Sequence, residues 1–250
     1  MNDIHFSILE KAVLTIGIFT ALGSFIHEVR LRLRIVLKSP GSLPIDRFGA
    51  RLWRAIREVI FQEKVIKGRL RAGIMHALVF WGFMAFSIVT LDHFAIGFGY
   101  PLMGESTHHL YSYIAIPFSI LVIWGISYLA FRRFILRPDA LGKPSPTSGL
   151  VAVYIALLMI TYLLGEIDLS PTLWKANWWL HSFIILAFLF LIPRSKHLHL
   201  VLAPINIFFK SFRQPNHTPV VIDMEASEAE LDNMLSSLGK MTQKQALDIF

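Results

Sequence analysis

The chain has 250 residues, of which 54% are hydrophobic, with 24 Lys and Arg against 17 Asp and Glu and no cysteine. Its mean hydropathy of +0.56 is too high for an ordinary water-soluble domain. Without thiols it has no disulfides, c-type haem attachment, thiolate zinc sites or cysteine-ligated iron–sulfur clusters. The net charge of +7 could suggest nucleic acid, but the cations sit in alternate loops between long apolar runs, which is a topology signal.

Five runs are long and apolar enough to cross a bilayer: residues 6–26, 73–100, 110–131, 150–165 with flanks and 178–192 with flanks. The fold expected is therefore all-α, an integral membrane bundle of five transmembrane helices. The first run follows Asp3, contains Glu10, carries its cations after the apolar part and lacks a small-residue cleavage pattern. It reads as a retained span rather than a secretory leader. It leads into a basic continuation from His27 to Arg34, broken by Gly41 and Pro44.

Residues 46–67 read as one amphipathic helix, with Phe48, Leu52, Trp53, Ile56, Val59 and Ile60 on one side and cations on the other. Such a segment is expected to lie on lipid headgroups, with docking of a soluble partner as the alternative. The second span carries His76 about a turn inside one face, and Asp92 and His93 at its far end. Ser106 or Thr107 can cap the third span, with Tyr111 and Tyr113 as interfacial anchors. The fourth ends at Glu166 and Asp168, and Trp174, Trp178 and Trp179 suggest an aromatic belt before the fifth.

The fifth span begins at Trp178-Trp179-Leu180-His181, with the histidine at its entry, runs apolar to Pro193 and passes into Arg194-Ser195-Lys196-His197-Leu198-His199. An unbroken helix would put His181 and His199 on one face, about 27 Å apart, close to the thickness of a hydrocarbon core. Cations crowd the loops around Arg30–Arg71, Arg132–Lys143 and Arg194–Arg213 and are nearly missing from the other loops. This bias places the N-terminus outside and the C-terminus in the cytoplasm of a cell inner (cytoplasmic) membrane. Residues 1–214 then form the membrane domain, and residues 215–250 an acidic cytoplasmic tail that a partner could engage.

An ionisable side chain inside a span is costly and points to function. Sorted by depth, His76 and His199 share the cytoplasmic side, with His27 and His197 near them. His93, His108, His109 and His181 share the outer side. Bis-histidine haem b needs two neutral imidazoles facing one another from different helices. His76 with His199 would serve a cytoplasmic-side haem, and His93 with His181 an outer one; His108 or His109 could replace His93. Arg30, Arg69, Arg71, Arg194 and Lys196 lie where propionates of the cytoplasmic-side haem would emerge. Asp92, His108, His109, Glu166, Asp168 and Lys175 are outer-side groups that could handle protons.

The run from Gly73 to Phe83 around His76, together with Trp179-Leu180-His181, Ser195-Lys196-His197-Leu198-His199 and Ala203-Pro204-Ile205-Asn206, resembles the nitrate reductase gamma subunit-like cytochrome b superfamily. The resemblance spans all five helices. It is nearest to the membrane domain of heterodisulfide-reductase-like proteins, including electron-transfer-flavoprotein:menaquinone oxidoreductases. It implies that His199 pairs with His76 and that His181 ligates a second haem. In the nitrate reductase pattern the other second-haem ligand falls at the position of Phe86, which cannot ligate, leaving His93 as the substitute. The resemblance also implies a redox partner carrying iron–sulfur clusters or flavin, either as a separate subunit or beyond residue 250. The expected function is a haem b membrane subunit, with one or two haems, passing electrons between that partner and menaquinone or ubiquinone. A proton-relaying transporter and a cofactor-free membrane anchor are the competing readings.

Overall fold

The computed structural model describes residues 5–38, 43, 45–143, 145–210 and 212. Gly41, Pro44, Arg213 and the acidic stretch from residue 215 lie outside them, so the expected domain boundary and partner-binding arm are not described. Among the described residues every regular element is helical: α1 (Ile8–Lys38), α2 (Phe48–Ala55), α3 (Glu63–Gly68), α4 (Leu70–Phe98), α5 (Glu105–Phe131), α6 (Pro146–Gly165), α7 (Pro171–Leu191) and α8 (His199–Phe209). Five stretches, Ile8–Lys38, Leu70–Phe98, Glu105–Leu136, Pro146–Gly165 and Pro171–Arg194, are long and apolar enough to cross a membrane. The all-α, five-span reading holds.

The contacts group the chain into two units, one of Met1–Thr20 with Lys64–Phe188 and one of Ala21–Glu63 with Leu189–Phe250. In the first unit, α4, α5 and α6 pack around Phe86, Ala115, Val122, Met159 and Tyr162. A Cβ on Gly125 of α5 would lie 2.9 Å from the Met75 carbonyl oxygen of α4. The glycine is there because two helix backbones approach, the usual way membrane helices gain packing energy. Gly99, at φ 87, ends α4: its N–H donates to the Ile96 carbonyl and that of Tyr100 to Ala95, each at 2.9 Å. This is a Schellman closure, and Pro101 blocks any continuation. The buried Asp92 carboxylate then holds the following turn, accepting from the Leu102 and Met103 amides at 2.7 and 2.9 Å.

The start of α1 is fixed to α7 in the same unit. Ser7 and Glu10 form a capping box, and Glu10 also receives Lys175 Nζ at 2.8 Å. Trp178, expected in an outer belt, is instead buried with Phe6 and Leu14. Leu14 of α1 and Phe6 just before it offer more apolar contact than an interfacial position would. Tyr111 also turns inward, donating to the Ala85 carbonyl at 2.7 Å, while Tyr113 stays exposed. The start of α5 is not capped by Ser106 or Thr107: Gly104 occupies the cap position and no side chain caps it.

The expected single amphipathic helix over residues 46–67 is two pieces. α2 passes into a π-turn at Ile56–Ile60, and Gln62, at φ 53, breaks the path before α3. Gln62 Nε2 donates to the Val59 carbonyl at 2.6 Å, and Arg57 spans the break to Glu63 at 2.6 and 2.7 Å. Phe48, Leu52, Trp53 and Ile60 are exposed, as a headgroup-facing side requires. Arg51 faces the other way and is buried. It donates to the Phe208 and Lys210 carbonyls at 3.2 and 3.0 Å and to the Asp46 carboxylate at 2.6 Å. It therefore closes the C-terminal end of α8, whose last carbonyls have no intrahelical partner.

The fifth span also differs from expectation. α7 starts at Pro171, so His181 lies about three turns inside it. It stops at Leu191, two short 3₁₀ turns follow, and Ser195 is extended at φ −133, ψ 168. Pro193 supplies no N–H to the ladder, so a straight helix from His181 to His199 does not form. The 27 Å same-face geometry expected for an unbroken helix therefore does not apply.

Gly125→Leu should separate α4 from α5 and cost about 1–3 kcal/mol, read as a lower unfolding temperature in detergent with helix content kept. The neighbouring Arg51 guanidinium holds the Asp46 carboxyl below the ordinary carboxylate range. A carboxyl with a depressed folded pKa contributes stability above its unfolded pKa and loses it as pH falls through the folded value. Protease cutting near Lys210 should therefore rise below about pH 4, and at neutral pH in Arg51→Met.

Candidate functional site

The chemistry in the first unit gathers where α4, α6 and α7 meet. Thr161 of α6 places its hydroxyl oxygen 2.7 Å from the Leu157 carbonyl, 3.2 Å from that of Leu158 and 2.6 Å from His181 Nδ1. A threonine has one hydroxyl proton. Donated to the carbonyls of its own helix, it leaves the oxygen to accept from His181 Nδ1–H. This puts the imidazole proton on Nδ1 and the lone pair on Nε2, with the hydrogen-bond network deciding the tautomer. Asn177 Nδ2 donates to the Thr161 carbonyl at 2.8 Å, so the backbone of the same residue is also satisfied.

His93 of α4 completes the group. Its Nε2 lies 2.8 Å from Ser182 Oγ of α7, and its ring stacks on Trp178 at 4.7 Å with 14° between planes. The His93 and His181 rings have centroids 4.8 Å apart at 58°. His181, Ser182, Thr161 and Trp178 are buried. Of the three outer-side imidazoles named as possible partners of His181, the one beside it is His93. His108 Nε2 is 3.9 Å from Glu166 Oε1, and His109 lies edge-on to Tyr113 at 5.2 Å. Asp92 accepts from two loop amides, and Lys175 pairs with Glu10. Phe86, two turns before His93, packs edge-on to Tyr162 at 4.9 Å.

His76 sits half-buried in α4 of the first unit, and Arg71 is exposed. In the second unit His199 opens α8 and is exposed, with Nδ1 2.9 Å from the Lys196 carbonyl. A carbonyl only accepts, so His199 carries a proton on Nδ1 and donates it there. His197 is turned toward Ser195 Oγ at 3.1 Å. Arg194 is engaged by Glu28 at 3.0 Å and Ser24 at 2.6 Å. Arg30 lines a pocket of about 420 Å³ along α1 with Gly23, Ile26, His27, Leu31 and Arg34. Among the described residues no group of three or more His, Asp or Glu converges as a metal-ion site.

Thr161, Ser182 and Asn177 were not singled out from the sequence. Thr161 left a trace there, as a hydroxyl within the apolar run of α6. In hydrocarbon such a group must find a partner.

Two curated proteins resemble the chain. One is a probable iron-sulfur-binding oxidoreductase, FadF, of Bacillus subtilis, 26% identical over 220 residues, covering 76% of this chain and 31% of that protein. The other is an EtfAB:quinone oxidoreductase of Syntrophomonas wolfei, 23% identical over 222 residues, covering 73% and 31%. The chain thus spans about a third of the length of these relatives. No family model and no solved structure matches. The chain has five helices long and apolar enough to cross a membrane, and is similar at low identity to one protein named as an iron-sulfur-binding oxidoreductase and one named as a quinone oxidoreductase.

Thr161→Val should leave the His181 N–H buried without an acceptor and cost about 1–3 kcal/mol. Thr161→Ser should recover most of the loss, and thermal unfolding in detergent distinguishes the two.

Proposed function

We propose that the chain is the haem b-carrying membrane part of an oxidoreductase that exchanges electrons between a cytoplasmic iron–sulfur or flavin partner and membrane quinone. The observation that carries the reading is the state of His199. Its Nδ1–H is held by the Lys196 carbonyl, the arrangement by which metal-ligating histidines fix their tautomer and present the other nitrogen. The ring is exposed. His76 is the second axial ligand that the sequence resemblance implies. When bound, haem b supplies reversible one-electron chemistry in this reading.

The absence of cysteine means that any cluster must belong to a partner or another part of a longer protein. The names of the two relatives, one iron-sulfur-binding and one acting on EtfAB and quinone, support the same division of labour. Arg30 and Arg71 are exposed and basic, suited to holding carboxylates such as haem propionates. On the positive-inside bias, the segments around Arg30, Arg71 and His199 face the cytoplasm.

A dithionite-reduced minus oxidised spectrum of the purified full chain should show a b-type α band. His199→Ala and His76→Ala should each abolish it while leaving helix content unchanged. A wild-type protein without the band would reject haem b and leave the transporter and anchor readings.

A further inference from the structure

Given that reading, we infer that the chain holds one haem rather than two, and that His93 and His181 form a hydrogen-bonded clamp across three helices where a second haem would be expected. Two imidazoles on opposite faces of one iron, each nitrogen about 2 Å from the metal, hold their ring centres about 6 Å apart with the nitrogens facing each other. The observed centroids are 4.8 Å apart and the planes are tilted by 58°. A porphyrin disc has no room between these rings.

The surroundings leave no slot nearby either. The face of His93 is covered by Trp178, which is itself 3% exposed and packed on Phe6 and Leu14. The alternative ligand position two turns earlier is Phe86, inside the apolar cluster with Tyr162. His93 Nε2, the nitrogen that would have to turn toward iron, is committed to the fully buried Ser182 hydroxyl.

The same contacts give the pair a different use. His93 joins α4 to α7 through Ser182, and His181 joins α7 to α6 through Thr161, whose carbonyl is secured by Asn177. In hydrocarbon such polar pairs hold helices together because no water competes for them. His181 has the protonation state of a ligand and lacks the space of one. His199 has both. Among the described residues the centre at His199 is then the one redox centre.

The test is the haem-to-protein ratio by pyridine haemochrome on the full chain in detergent, with thermal unfolding measured on the same samples. The wild type should contain one haem b per chain. His93→Gln, which keeps an amide nitrogen for Ser182, should retain that haem and most of the stability. His93→Leu should retain the haem and unfold several degrees lower. Two haems in the wild type, falling to one in His93→Gln, would overturn the inference while leaving the proposed function intact. No haem at all would overturn the proposed function, and the unfolding temperatures of His93→Gln and His93→Leu would still report whether the clamp exists. Equal stability of those two variants would overturn the clamp.

Discussion

A bilayer interior gives a polar group nothing to bond with, so each such group inside a span must be satisfied by the protein. Much of this structure follows from that demand. Asp92 would be costly near the end of α4, yet it is satisfied because the Schellman turn at Gly99 returns the chain and offers it two amides. Tyr111 finds the Ala85 carbonyl, and Ser119 finds that of Ile116. The histidine cluster meets the same demand by using side chains on three helices, with Thr161 as the shared point. That residue accepts from His181, donates within its own helix and receives Asn177 on its carbonyl.

The five spans were legible in the sequence because length and apolar composition suffice to mark them, and α4, α5 and α6 lie within a few residues of expectation. Local geometry was less legible. Residues 46–67 have the apolar stripe of one helix, but the left-handed turn at Gln62 depends on a side chain closing onto Val59 and on the Arg57–Glu63 pair across the break. Trp178 looked like an interfacial anchor because tryptophans cluster there, but periodicity does not say that Phe6 and Leu14, before and within the start of α1, would cover it. The juxtaposition of His93 and His181 was anticipated from depth. Their separation was not, because it is set by Ser182 and Thr161, two small hydroxyl residues that carry no pattern of their own.

The break between Leu191 and His199 shows how a lost regularity can provide a functional geometry. In a continuous α-helix the Lys196 carbonyl would accept the amide four residues on, and the ring at position 199 would have no fixed partner nearby. Pro193 and the extended Ser195 prevent that, and the 3₁₀ turn brings the Lys196 carbonyl within reach of His199 itself, backbone and ring. The interruption that removes the same-face relation between His181 and His199 therefore also selects the His199 tautomer and directs its Nε2 lone pair away from the backbone. His181, in the unbroken part of α7, cannot use a helical carbonyl in this way and takes its acceptor from α6. The two histidines reach the same protonation state by different routes, one set by a local backbone break at the start of a helix and the other by packing between helices. Only the first route leaves the ring accessible, which is why the two imidazoles, alike in chemistry, are assigned different work.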